Sequence, residues 1–121
     1  MAPGGPVEEA PAAKVDKMAA DDTWYAGRMP RPKAEKVMEG MPDGAFLVRE
    51  SDSRQGEYSL SVMYQQVKHI KINRDGNKYD VAPDSKAFPS IQELVEYFQL
   101  HSLNRHFPGM ETTLRIPFRY V

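Results

Sequence analysis

The stretch Phe46-Leu47-Val48-Arg49-Glu50-Ser51 sets an arginine inside an apolar run with high β-propensity. Side chains alternate between the two faces of a strand, so Arg49 and Ser51 share one face while Glu50 points to the other. A charged side chain on the core side of a strand needs an anionic partner, and this run supplies none on the Arg49 face. Because a planar guanidinium beside a hydroxyl suits a doubly charged oxyanion such as phosphate, the stretch predicts an anion site on a buried strand.

The residues before this strand predict a short amphipathic helix, since Ala34, Val37 and Met38 fall on one helical face. Prolines suit its start and a glycine suits its end, at Pro30, Pro32 and Gly40.

Three strand-like runs, 45–50, 57–64 and 67–72, are separated by short connections and predict an antiparallel meander. We expect a further short strand over 78–81 and an extended piece over 114–118, which Pro117 keeps at an edge of the sheet.

A second helix is indicated after Ser90, which forms a capping box with Glu93. Its apolar stripe consists of Ile91, Leu94, Val95 and Phe98. The order of helix, meander and helix predicts an α+β fold, in which a central three-stranded antiparallel sheet has one helix on each face and small accessory strands.

The composition bounds the domain organisation. Residues 1–23 are rich in Ala, Pro, Gly and acidic residues and contain no aromatic side chain, so we expect a disordered tail or linker there, with a weak helix over 14–20 as the alternative. Residues 24–121 then form one domain.

The chain contains no cysteine, which excludes a disulfide framework and a thiol-ligated zinc site.

Charge and hydropathy restrict the partners. Residues 1–23 carry a net charge of −3 and the rest of the chain +2, a mild balance that argues against a general nucleic-acid binder. No apolar run approaches the roughly 18 residues of a membrane span, and prolines and acidic residues interrupt any signal-peptide core. These features predict no membrane insertion. We also expect a monomer and a cytoplasmic location.

Five ordered segments resemble the SH2 domain, the phosphotyrosine-binding module, over about residues 24–119. They are Trp24-Tyr25-Ala26-Gly27, Arg31, the strand around Arg49, Val67-Lys68-His69-Ile70-Lys71-Ile72 and the helix region Phe88 to Tyr97. Within that family the first and fourth segments, together with Leu94-Val95-Glu96-Tyr97 and Thr112-Thr113-Leu114, are most similar to the SH2 domains of Vav-type exchange factors.

The resemblance implies a non-catalytic module for tyrosine-phosphorylated peptides, without cofactor or metal. It places Arg49 on the floor of the phosphate pocket and lets cationic side chains flank the phenol ring. The implied pocket residues are Arg31, Arg49, Ser51, Ser53, Ser59, His69 and Lys71. The resemblance also implies a second pocket that uses Ile70 and Tyr79 and prefers an apolar residue or proline three positions after the phosphotyrosine.

Two other function classes stay open on the residues alone. An enzyme would need a paired nucleophile and base, and the histidines His69, His101 and His106 form no recognisable catalytic motif. A nucleic-acid or lipid-phosphate binder would use a basic face made of Arg28, Arg31, Lys33, Lys68 and Lys71.

Overall fold

The computed structural model describes residues 23–121. In chain order these contain β1 (Tyr25–Arg28), α1 (Arg31–Met38), β2 (Ala45–Glu50), β3 (Tyr58–Tyr64), β4 (Gln66–Asp75), β5 (Lys78–Asp80), α2 (Ile91–Leu100) and β6 (Ile116–Pro117). Two short 3-10 turns cover Leu103–Arg105 and Phe118–Tyr120. The predicted tail, 1–23, and its alternative helix lie outside the described residues except for Thr23.

The sheet is built on the antiparallel meander β2-β3-β4, which confirms the predicted α+β class. Its strands follow the order β1-β2-β3-β4-β5, so the sheet has more strands than the predicted central three. β1 runs parallel to the second half of β2, and β6 runs parallel to its first two residues, Ala45 and Phe46. β1 was not predicted as a strand, because Tyr-Ala-Gly-Arg has no clear period-2 pattern.

The strand bounds differ from the prediction mainly in β4. It runs to Asp75 rather than to Ile72, since Asn73, Arg74 and Asp75 pair with β5. The turn before it is tighter than expected: Tyr64 pairs with Gln66, and Gln65 alone bends the chain, with a φ of 68°.

Each face of the sheet is covered by one helix. On one face α2 buries its predicted stripe against alternate sheet residues such as Val48, Leu60 and Ile70. On the other face α1 buries Ala34 and Met38 against Leu47 and its neighbours. Because both faces are covered, β2 is buried along nearly its whole length, as is usual for a central strand with helices on both sides.

The predicted cap of α2 is present, since the Ser90 side chain accepts a hydrogen bond from the Glu93 backbone N–H at 3.1 Å. Within residues 23–121, no helix is both long and apolar enough to cross a membrane.

Candidate functional site

Arg49 lies near the end of β2, and its side chain points to the α1 face because Val48 before it faces α2. It is only 6% exposed. Its Nε donates to Ser61 Oγ at 3.2 Å, its Nη1 to the Met29 carbonyl at 3.3 Å and its Nη2 to His69 Nδ1 at 3.3 Å. No carboxylate takes part in these three bonds, so they hold the guanidinium in place without neutralising it.

The guanidinium of Arg49 keeps donors for a ligand. A guanidinium has five N–H groups, one on Nε and two on each terminal nitrogen. The contacts made within residues 23–121 use one N–H of each nitrogen, which leaves one on Nη1 and one on Nη2. Two N–H groups on neighbouring nitrogens can bind two oxygens of a single phosphate.

His69 accepts a hydrogen bond from the Arg49 guanidinium, and its contacts define which ring nitrogen carries the proton. Because arginine can only donate, Nδ1 of His69 accepts from Arg49 and carries no proton. The Ser61 hydroxyl, 2.9 Å away, accepts from Arg49 and donates to the same Nδ1. The ring proton therefore resides on Nε2, which donates to Glu35 Oε2 at 3.0 Å. The hydrogen-bond network thus assigns a neutral Nε2–H imidazole.

Electrostatics agree with this assignment. Burial, with the nearby cations Arg49 and Arg31, lowers the pKa of His69 below its ordinary value, although Glu35 opposes the shift. Burial, followed by repulsion from Arg31, also lowers the pKa of Arg49. An arginine whose ordinary pKa exceeds 12 stays charged at neutral pH, so one cation and a neutral imidazole form the floor of the site.

Helix α1 supplies the outer residues of the site. Arg31 is its first residue even though a residue before proline is disfavoured in helical angles. Glu35 follows one turn later, and its Oε2 lies 3.6 Å from Arg31 Nε. Helical spacing therefore points a cation and a carboxylate at the same edge of the sheet.

The loop after β2 is organised by Ser51. Its Oγ accepts from the backbone N–H groups of Ser53 at 3.2 Å and Arg54 at 3.0 Å, and it lies 3.4 Å from Ser53 Oγ. The backbone N–H of Gly56 donates to Glu50 Oε2 at 2.8 Å. The loop is thus folded back on β2, with the serine hydroxyls at its base.

Ser59 and Lys71 complete the row across the sheet. Arg49 lies directly opposite Ser59, and Ser59 directly opposite Lys71, so the three side chains share the α1 face. Lys71 is mostly exposed, and its Nζ lies 3.8 Å from Glu57 Oε1. All seven predicted phosphotyrosine-pocket residues therefore lie at one edge of the α1 face or in the adjoining loop. Their contacts with a ligand stay predictions.

The two residues predicted for a second pocket lie elsewhere. Ile70 faces α2 and is 6% exposed, so it has little surface to offer. Tyr79 is half-buried on β5, and its backbone N–H and carbonyl both bond to Phe88 at 2.8 Å. His106 Nδ1 lies 3.2 Å from Asp84 Oδ1 and so connects the two loops that follow β5 and α2. The role of these residues in specificity stays a prediction.

Three groups of the site escaped prediction: the hydroxyl of Ser61, the carbonyl of Met29 and the carboxylate of Glu35. Ser61 had a usable signal, because it lies two residues from Ser59 on the Arg49 face. Because Ser61 alternates with the apolar residues Leu60 and Val62, the pattern suggests a side chain that faces solvent. In the structure Ser61 is fully buried. A backbone carbonyl and a residue on a separate helix carry no comparable local signal.

Comparison with known proteins assigns a family to this geometry. A family model described as the SH2 domain matches residues 24–98. The chain is 41% identical over 97 residues to the human "Proto-oncogene vav" and 42% identical over 98 residues to the human "Guanine nucleotide exchange factor VAV3". Each alignment covers 79% of this chain and 11% of the relative, so the chain spans about a tenth of the length of these proteins. The nematode Caenorhabditis elegans "Protein vav-1" is 36% identical over 107 residues, which is 86% of this chain and 10% of that protein.

Solved structures agree with the sequence comparison. The solution structure of the SH2 domain of human VAV1 superposes with a TM-score of 0.75 at 39% identity, covering 84% of this chain and 73% of that one. A second structure, of the VAV1 SH2 domain complexed with a tyrosine-phosphorylated peptide from SLP76, gives the same values. The predicted similarity to the Vav-type members is confirmed.

Proposed function

Because the chain belongs to the SH2 domain family, we propose that it binds tyrosine-phosphorylated peptides and that Arg49 holds the phosphate. SH2 domains are non-catalytic binding modules, so this domain is not an enzyme. The observation that carries the proposal is the buried guanidinium of Arg49, whose three bonds leave an N–H on each terminal nitrogen.

The chemistry of the ligand suits this pocket. A phosphotyrosine carries close to two negative charges at neutral pH and several acceptor oxygens. The guanidinium binds two of these oxygens, and hydroxyls on the same edge, from Ser51, Ser53 and Ser59, donate to the others. Arg31 and Lys71 flank the phenol ring, where a cation over an aromatic face is attracted to it.

Depth supplies selectivity among phosphorylated residues. Arg49 is only 6% exposed, and its guanidinium is held among Ser61, His69 and the Met29 carbonyl. An aryl ring carries its phosphate far enough from the peptide backbone to reach the guanidinium, whereas phosphoserine is too short.

The similarity to VAV1 supports the class of partner. That SH2 domain is described in complex with a tyrosine-phosphorylated peptide and shares 39% identity with this chain. We propose that this domain acts as a monomer in a cytoplasmic signalling protein, without binding nucleic acid or inserting into membranes. In its ligands, the second pocket near Tyr79 and Ile70 selects an apolar residue or proline three positions after the phosphotyrosine.

Calorimetric titration of one peptide in three forms tests the proposal: with phosphotyrosine, with tyrosine and with phosphoserine. Two charge-assisted hydrogen bonds of about 1.5 kcal/mol or more each predict at least roughly 100-fold tighter binding of the phosphotyrosine form. Equal affinity for the phosphotyrosine and tyrosine forms would refute the proposal. Steeply salt-dependent binding of plain duplex DNA, without preference for phosphotyrosine, would favour a nucleic-acid binder.

A further inference from the structure

A carboxylate lies among the cations of the proposed phosphotyrosine pocket. Glu35 Oε2 is 3.0 Å from His69 Nε2 and 3.6 Å from Arg31 Nε. The same oxygen thus connects the imidazole at the floor of the site to the arginine at its edge. Through His69 Nδ1 the connection continues to the guanidinium of Arg49 at 3.3 Å.

This carboxylate competes with a phosphate in two ways. It pairs with Arg31, the cation proposed to flank the phenol ring, and it brings a negative charge to the place where a dianion must enter. Like charges close together repel, and the repulsion is weaker in water than in a buried site. Glu35 and Arg31 are both substantially exposed, with 49% and 68% of their side chains accessible, so the pair can separate without repacking the core.

We propose that Glu35 is an affinity-setting residue, an internal anion that pairs with Arg31 in the free protein and lowers the affinity for phosphotyrosine peptides. The inference rests on the proposed function and adds a competing group to the same site. The hydrogen bond from His69 is the main cause that lowers the pKa of Glu35, so the carboxylate is charged at neutral pH. A phosphotyrosine displaces Glu35 from Arg31, while the bond from His69 Nε2 keeps the carboxylate near the site.

Replacing Glu35 with glutamine tests the sign of this effect. Glu35→Gln keeps the shape and a hydrogen-bond acceptor for His69 but removes the charge. We expect it to bind the phosphotyrosine peptide about 2- to 5-fold more tightly, the size of effect typical of one charge interaction at an exposed site. Glu39→Gln is the matched control, because it removes the same charge from an exposed position at the end of the same helix. We expect the control to change affinity by less than about 2-fold, because Glu39 lies eight residues from Arg31, about 12 Å along the helix, where exposed charges are largely screened.

A second measurement follows the carboxylate directly. The side-chain carboxyl carbon of Glu35 can be titrated by NMR in the free protein and in the phosphopeptide complex. We expect its pKa to rise on binding, because the dianion disfavours a second negative charge beside it. A residue that only stabilised α1 would show the same pKa in both states.

The outcomes separate the two proposals. If the unchanged protein binds the phosphotyrosine peptide but Glu35→Gln binds equally or more weakly, Glu35 positions Arg31 and His69 and is not a competitor, and only the inference is overturned. An unchanged Glu35 pKa in the complex has the same meaning. If the unchanged, folded protein shows no preference for phosphotyrosine, the proposed function fails and the inference fails with it.

Discussion

Replacing Arg49 with alanine should remove most of the affinity for a phosphotyrosine peptide while leaving a folded domain. Arg49 is the only described arginine that is buried, and its bonds go to Ser61, the Met29 carbonyl and His69. These supports orient the guanidinium before a ligand arrives, so little ordering is left to be done on binding.

The expected loss of affinity in Arg49→Ala can be calculated from the interactions that the substitution removes. Truncating one partner of a buried, hydrogen-bonded charge pair costs about 2–5 kcal/mol. At about 1.4 kcal/mol per tenfold change, this corresponds to a loss of roughly 30-fold to several-thousand-fold. The two N–H groups that remain on Nη1 and Nη2 predict an overlapping range of about 3–6 kcal/mol, because hydrogen bonds to charged groups contribute about 1.5–3 kcal/mol each.

Isothermal titration calorimetry of the unchanged protein and three variants measures the loss. Arg49→Lys keeps the charge but not the planar fork, so its affinity should lie between those of the unchanged protein and Arg49→Ala. Arg54→Ala is the matched control: Arg54 is an exposed cation of the neighbouring loop, 3.8 Å from Glu57, and should cost less than about 1 kcal/mol. Thermal melting of each variant shows whether it is folded.

The reasoning would be refuted by a folded Arg49→Ala variant whose affinity falls less than about threefold. It would also be refuted if Arg54→Ala lost as much affinity as Arg49→Ala. Binding would then depend on general positive charge and not on the buried, planar guanidinium.

Three further predictions concern the supports of the site and the fold. The lowered pKa of His69 means that the native protein favours the neutral ring, so the free energy of unfolding should be highest above about pH 6.5 and decrease as the pH falls from there towards the lower native pKa; urea unfolding between about pH 7.5 and 5 measures it. Ser61→Ala removes the oxygen that accepts from Nε of the buried guanidinium, and leaving that donor unsatisfied should weaken phosphotyrosine binding by about tenfold in calorimetry. Gly44→Ala should lower the free energy of unfolding by about 2 kcal/mol or more in urea, because φ is +95° there and the new Cβ would lie 2.8 Å from Arg115 Cβ.

Each of these has a control. The pH dependence should flatten in His69→Gln and persist in His101→Gln, and an equal slope in both variants would exclude His69 as its source. Ser102→Ala, in an exposed cap beyond α2, should leave phosphopeptide affinity unchanged. Gly76→Ala, at a φ of +63° with open space around the new Cβ, should cost less than Gly44→Ala; equal costs would contradict the predicted clash.

The secondary structure was largely predictable because it follows local periods. The bounds of β2 matched the apolar run at 45–50, and the stripe and cap of α2 matched the pattern after Ser90. β1 was missed, because a strand of four residues has too few positions to show an alternation, and β6 covers only two residues of the extended piece predicted over 114–118. Their pairing with β2 depends on residues far along the chain.

The candidate site also has a part that local sequence predicts and a part that it does not. That Arg49 lies on one face with Ser51 follows from the geometry of a single strand, and the prediction of a buried anion site needed nothing more. The resemblance to the SH2 family then supplied the other candidates, and the structure brings those of the phosphate pocket to one edge of the sheet.

Local sequence thus determined both helices, the strands of the meander and the way Arg49 faces, because each of these follows from a repeat of a few residues. Only the folded chain decided what holds the guanidinium. Ser61 is 12 residues from Arg49, and Met29 and His69 are each 20 residues away in opposite directions. Glu35 reaches His69 across 34 residues. Hydrogen bonds depend on distance in space, and packing α1 and three strands together creates distances that no local pattern encodes.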